Sequence, residues 1–276
     1  MTGPRLPDFV IIGAGKSGTT TLHHWLLQQP EIFSCSLKEP RFFSRDWDKG
    51  LPWYTALFAE GGEDQLAGEA STNYTDVEYS EVAAERMAAT VPGARLIYLL
   101  RHPVERLRSQ YRHNWRRAVE SDPLADAVVR PDNPYVGRSL YHQRLAPYVE
   151  RFPRQQICVV RFEDLVASSQ PAWTEVLEHL GLEERPAPGD AHNVTADLPW
   201  VSAGLRRLEK GGWLDHLPPV PDALRRRAIR ALQGVGRRPP AQASGELPAA
   251  VVRELWTDIE RLEEWLGRGR LWERTD

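Results

Sequence analysis

The stretch Phe9-Val-Ile-Ile-Gly-Ala-Gly-Lys-Ser-Gly-Thr-Thr-Thr-Leu22 constrains the fold more than any other part of this chain. Phe9 to Ile12 is a short apolar run suited to a buried strand. A glycine-rich turn with one lysine follows, and Leu22, Trp25 and Leu26 then recur at helical spacing. In that order, strand, loop and helix turn backbone amides toward the positive end of a helix, and Gly13, Gly15 and Gly18 let the chain approach a ligand closely. Such a loop binds phosphate-like groups. The nucleoside-triphosphate consensus G-x-x-x-x-G-K-[ST] is met at Gly15-Lys16-Ser17 but fails five residues before Gly15, where Val10 stands.

The rest of the chain reads as one α/β domain. With 276 residues, 41% hydrophobic and 26% charged, it has the composition of an ordinary globular protein. A formal net charge of −3 provides no global field for nucleic acid or an anionic membrane, so an anion site must be local. Cys35 and Cys158 are too few for a disulfide framework or a cysteine zinc site, and both are expected to be reduced. No apolar run approaches a membrane span, and the amino terminus enters the first strand without a signal-peptide pattern, so a cytoplasmic location without membrane partners is expected. The sequons at Asn73 and Asn193 are read as chance.

Further strands are expected at Leu66–Ser71, Arg95–Leu100 and Ile157–Val160. Helices are expected at Glu81–Ala89, Val104–Val119, Ser139–Arg151, Pro171–Leu180 and Ala249–Leu266, the last with an apolar stripe from Val252 to Leu266. Pro30 to Phe58 loses periodicity and reads as a long loop whose aromatic residues, Phe42, Phe43, Trp47, Trp53 and Tyr54, suggest a pocket wall. Short basic helices at 205–210 and 223–232 and a linker at 235–245 complete the reading. Alternating strands and helices imply a central parallel sheet flanked by helices, a P-loop-like three-layer fold. Its core spans 9–181, with a mainly helical extension over 182–276, in a single domain covering 1–276.

Ligands of open α/β sheets lie beyond the carboxyl ends of the strands, where both Lys16 and Arg101 should face. Gly13-x-x-Lys16-Ser17-Gly18-Thr19-Thr20 resembles the 5′-phosphosulfate loop of sulfotransferases that use 3′-phosphoadenosine 5′-phosphosulfate. Arg101-His-Pro-Val-Glu-Arg-Leu-Arg-Ser109 resembles their 3′-phosphate segment. Lys38-Glu39-Pro40-Arg41-Phe42-Phe43 is similar to the segment carrying a catalytic glutamate in heparan sulfate sulfotransferases and their bacterial relatives. Gly68-Glu-Ala-Ser71-x-x-Tyr74 matches a segment of substrate-side residues. Ala70 stands where glycosaminoglycan-modifying members carry lysine, and their C-terminal paired-cysteine loop has no counterpart here. Lys38 is read as a replacement for the charge missing at Ala70.

The resemblance implies sulfuryl transfer from the phosphoadenosine donor to a small-molecule or sugar acceptor, with the 3′,5′-bisphosphate as product and no metal. Gly15, Lys16, Ser17, Gly18, Thr19 and Thr20 would hold the phosphosulfate, Arg101 and Ser109 the 3′-phosphate, and Phe162 would lie near the adenine. Lys16 would stabilise the leaving group and Glu39 act as base, with His113 a second base or a phosphate contact. Two other readings stay open, a P-loop kinase of small molecules using ATP and magnesium, and a nucleotide-binding scaffold without catalysis. No acid ends the strand before Arg101, as a magnesium-holding aspartate would.

Overall fold

The computed structural model describes residues 5–117, 119–167, 169–189 and 245–274. The sequon at Asn193, the basic helices expected at 205–210 and 223–232 and most of the linker at 235–245 lie outside the described residues. The strands are β1 (Phe9–Gly13), β2 (Ile32–Ser34), β3 (Leu66–Ala70), β4 (Arg95–Leu100) and β5 (Ile157–Arg161). All pairings are parallel, in the order β2-β3-β1-β4-β5. From β1 the chain moves to one side of the sheet through β2 and β3, then crosses over to β4. The loops leaving β1 and β4 therefore diverge, and a crevice opens between them at the carboxyl edge.

The two-residue period of a strand decides which side chains enter which layer. Phe9 and Ile11 of β1, with Ile97 and Leu99 of β4, face a core closed by α1 (Thr19–Leu27) and, beyond the short α7 (Phe162–Ala167), by α8 (Ser169–Leu180). There Trp25 and Trp173 meet edge to face at 5.8 Å. Val10 and Ile12, with Leu96, Tyr98 and Leu100, face the opposite core, closed by α3 (Ser80–Thr90), α6 (Tyr141–Val149) and α9 (Ala249–Leu266). Because each face is apolar, the sheet is stable only as the middle of three layers. A third cluster joins α4 (Pro103–Arg116), α5 (Leu124–Val129) and Leu255 of α9. The expected strand Arg95–Leu100 and helix Ala249–Leu266 are found with those bounds.

Two expectations need correction. Pro30 to Phe58 is not a structureless loop, for it holds β2, a 3₁₀ turn at Trp47–Lys49 and α2 (Gly50–Ala56). Three residues are too few for β2 to show a period, and Ile32 pairs at the sheet edge beside Leu66 only because β3 is there. Nor do Phe42, Phe43, Trp47, Trp53 and Tyr54 line the cleft described below. Phe42 stacks on Tyr54 at 4.2 Å and 9°, both are buried, and Phe43, Trp47 and Trp53 close around them. They hold the segment against β3 and Tyr74, in the 3₁₀ turn Thr72–Thr75, as core.

Candidate active site

The loop after β1 carries the expected geometry. Gly18 sits at φ 85°, and a Cβ there would lie 2.4 Å from the Phe162 ring, so only glycine fits between the start of α1 and the β5 exit. Lys16 is also left-handed at φ 74°, an uncommon state for a residue with a side chain. From β4, Arg101 places its guanidinium 5.1 Å from the centre of the Phe162 ring and stands 4.0 Å from Glu105. The strand exit is held by the Tyr141 hydroxyl, which donates to the Arg101 carbonyl at 2.7 Å. Glu163 joins the neighbouring exits, its carboxylate accepting from the His102 amide at 2.8 Å and from the Trp272 indole at 3.1 Å.

These exits border a cleft of about 960 Å³ whose wall contains Gly15, Lys16, Gly18, Thr19, Thr20, Glu39, Arg101, Ser109, His113 and Phe162. Every proposed site residue is therefore brought to one cleft, with one exception. Ser17 is fully buried under the loop beside the Tyr141 hydroxyl, and its amide donates to the Ala14 carbonyl, so it supports the turn instead of lining the cleft. Glu39 stands on the wall with Thr72, which donates to its Oε1 at 2.9 Å, and Arg41 places its Nε 3.7 Å from the Glu39 Oε2. The neighbour Lys38 is not its ion-pair partner. It reaches Thr20 Oγ1 in the first turn of α1 at 3.4 Å.

The substrate-side reading of Gly68 to Tyr74 is corrected by burial. Glu69, Ser71 and Tyr74 have no exposure, and Ala70 is packed in the core between β1 and α1. Burial pushes the Glu69 carboxyl up to about 7, opposed by hydrogen bonds from Tyr54, Ser71 and Tyr74. Of that segment only Thr72 reaches the cleft.

The cleft is strongly cationic. Arg106, Arg112, Arg116, Arg117 and Arg138 join Lys16 and Arg101, against the carboxylates of Glu39 and Asp76. Burial, and then the repulsion of Arg106, Arg101, Arg116 and Arg112, push Lys16 down to about 8. Asp76 is pushed up to about 6 by burial although Arg138 lies 2.9 Å away. This charge matches an anionic ligand with groups at both ends of the cleft. Among the described residues, no cluster of histidine, cysteine and carboxylate side chains could hold a metal ion, and no helix is long and apolar enough to cross a membrane.

Sequence reasoning missed Asp76, Arg112, Arg116, Arg117 and Arg138 as cleft residues. Arg112 and Arg116 follow Ser109 by three and seven residues, a helical spacing that could have exposed them. Asp76 and Arg138 carry no local signal, because separate loops bring them together.

Residues 65–186 match the model of the sulfotransferase family. The membrane-associated sulfotransferase kil1 of Dictyostelium discoideum is 40% identical over 124 residues, which are 43% of this chain and 26% of that protein. The heparan sulfate glucosamine 3-O-sulfotransferase 3A1 of Mus musculus is 29% identical over 187 residues, 65% of this chain and 47% of that one. The chain thus spans less than half the length of these two relatives. A crystal structure of a sulfotransferase from Alicyclobacillus acidocaldarius shares the fold with a TM-score of 0.66, at 23% identity, over 96% of this chain and 97% of that one. A sulfotransferase family model over residues 65–186, the sulfotransferase relatives and the three-layer fold shared with a solved sulfotransferase are what this chain is similar to.

Proposed function

We propose that this chain transfers a sulfuryl group from 3′-phosphoadenosine 5′-phosphosulfate to a hydroxyl of a small-molecule or carbohydrate acceptor. The observation that carries the reading is the meeting in one cleft of the Lys16 loop, the Arg101–Ser109 pair and Glu39. The residues fit that donor. Arg101 offers a planar fork and Ser109 a hydroxyl to a 3′-phosphate, while Lys16, the Gly18 amide, Thr19 and Thr20 suit a phosphosulfate. Phe162, against Gly18 and under Arg101, supplies an apolar face for adenine.

When bound, the donor supplies a sulfuryl group bearing one negative charge. Lys16 neutralises charge growing on the bridging oxygen as the sulfur leaves it. Glu39, held by Thr72 and Arg41, accepts the proton of the acceptor hydroxyl as its oxygen forms the bond to sulfur. His113, on the same wall, contacts the 3′-phosphate end or takes the proton if Glu39 is removed.

The donor is tested by calorimetric titration of 3′-phosphoadenosine 5′-phosphate, with ATP and magnesium as the rival. Micromolar binding without metal is expected, weakened about 10–100-fold in Arg101→Ala, since a hydrogen bond to a charged group contributes about 1.5–3 kcal/mol. A preference for ATP with magnesium would sink this reading in favour of a kinase.

The Lys16 ammonium adds a pH dependence. Free Lys16 titrates near 8, below its ordinary 10.5, and an adjacent phosphate raises that value. Binding therefore takes up a proton above about pH 8, and affinity for the bisphosphate falls as pH climbs through that value. Titrations in buffers of different ionisation enthalpy should show this uptake, and Lys16→Met should abolish it.

A further inference from the structure

Beneath the cleft lies a carboxylate that the proposed chemistry does not use. Glu69 is fully buried at the end of β3 and accepts three hydroxyl protons, from Tyr54 at 2.6 Å, Tyr74 at 2.8 Å and Ser71 at 2.7 Å. In its ionised form, which prevails above about pH 7, this carboxylate can only accept, so there it fixes which way each hydroxyl points. With its proton committed to Glu69, the Ser71 oxygen presents a lone pair to the Arg41 amide at 3.0 Å. The Tyr74 oxygen does the same for the Phe43 amide at 3.4 Å.

Both amides belong to the segment that follows Glu39. Arg41 is left-handed at φ 52°, a state that a bulky residue keeps only when its surroundings hold it. The two side chains that orient Glu39 depend on the same anchor. Arg41 hangs on Ser71 by its amide, and Thr72 is the next residue along the chain.

We infer that Glu69 is a positioning residue for the catalytic base: acting through Ser71 and Tyr74, it holds the 39–43 segment so that Glu39 faces the cleft. The inference rests on the role proposed for Glu39. Glutamine at position 69 has nearly the same shape, yet turns one acceptor oxygen into a donor. At either oxygen, at least one hydroxyl must then turn its proton away and lose its acceptor. Tyr54 differs in kind, because its hydroxyl holds no segment amide and its ring already stacks on Phe42.

The test compares Glu69→Gln, Ser71→Ala and Tyr54→Phe with wild type in three readouts. These are amide exchange at Arg41 and Phe43 by NMR, affinity for 3′-phosphoadenosine 5′-phosphate, and release of labelled sulfate from 3′-phosphoadenosine 5′-phosphosulfate with water as acceptor. Glu69→Gln is expected to speed exchange at Arg41 or Phe43 at least 10-fold and to lower sulfate release about 10-fold. Bisphosphate affinity should stay within 2-fold, while Tyr54→Phe should leave exchange at both amides unchanged. Folded Glu69→Gln with unaltered exchange and turnover would overturn the inference. If Glu69→Gln does not fold, Ser71→Ala decides, with faster exchange at Arg41 at unchanged affinity in favour and unchanged exchange against. Failure of wild type to bind the bisphosphate sinks the donor reading instead, and is distinguishable because the exchange comparison needs no ligand.

Discussion

Glu39→Gln is expected to lower kcat for sulfuryl transfer by about 10²–10⁴-fold, the usual contribution of a positioned general base. The amide keeps the shape of the side chain and can still accept from Thr72, whose hydroxyl donates to Oε1 at 2.9 Å. It loses the ion pair with Arg41, an interaction at 3.7 Å between partly exposed groups that contributes little to stability. The fold and the affinity for 3′-phosphoadenosine 5′-phosphate should therefore be unchanged, because the residues proposed for the far end of the donor, Arg101 and Ser109, are untouched. The measurement is single-turnover transfer of labelled sulfuryl to an acceptor found by screening, beside calorimetry of the bisphosphate. Full activity in Glu39→Gln that disappears in His113→Asn would reassign the base to His113, which stands on the same wall.

Lys16→Met should lower kcat by about 10²–10³-fold, the cost of removing one donor aimed at developing charge. Lys16 is the cation of the loop after β1 itself, whereas Arg112, Arg116 and Arg117 rise from the end of α4 and beyond. Methionine keeps an unbranched stem without the charge, and removes the repulsion that pushes Lys16 down in the free protein. Stability should not fall, since a half-desolvated ammonium among arginines is replaced by an apolar group. Equal loss of kcat and kcat/KM would show that the interaction forms in the transition state. A rise in KM for the donor with kcat unchanged would make Lys16 a binding residue only and refute the assigned role.

How much of this was legible follows the range of the interactions. The loop from Gly13 to Thr20, the exit at Arg101 and the helix carrying Ser109 are local patterns, each set by neighbours within a turn or two of chain. Burial on both faces made Arg95–Leu100 a continuous apolar run, and an apolar stripe marked Ala249–Leu266, so both were readable with their bounds. The same local logic failed at Phe42 and Tyr54, since an aromatic residue has the same appearance in sequence whether it stacks on a ligand or on another ring. It failed at Glu69 as well, where a charged residue beside a match to a substrate segment proved to be a buried acceptor for three hydroxyls.

Backbone geometry and side-chain chemistry within a few residues suffice for the alternation of strand and helix and for the glycine-rich loop after β1, so these were legible in the sequence. That Glu39 lines the cleft, that Ser17 is buried beneath the loop, and that Asp76 meets Arg138 beside the cleft follow from tertiary contacts alone. The reason is physical. Each of those outcomes depends on contacts between segments brought together by the crossover of a parallel sheet, and the free energy that selects them is that of burial and hydrogen bonding across the chain.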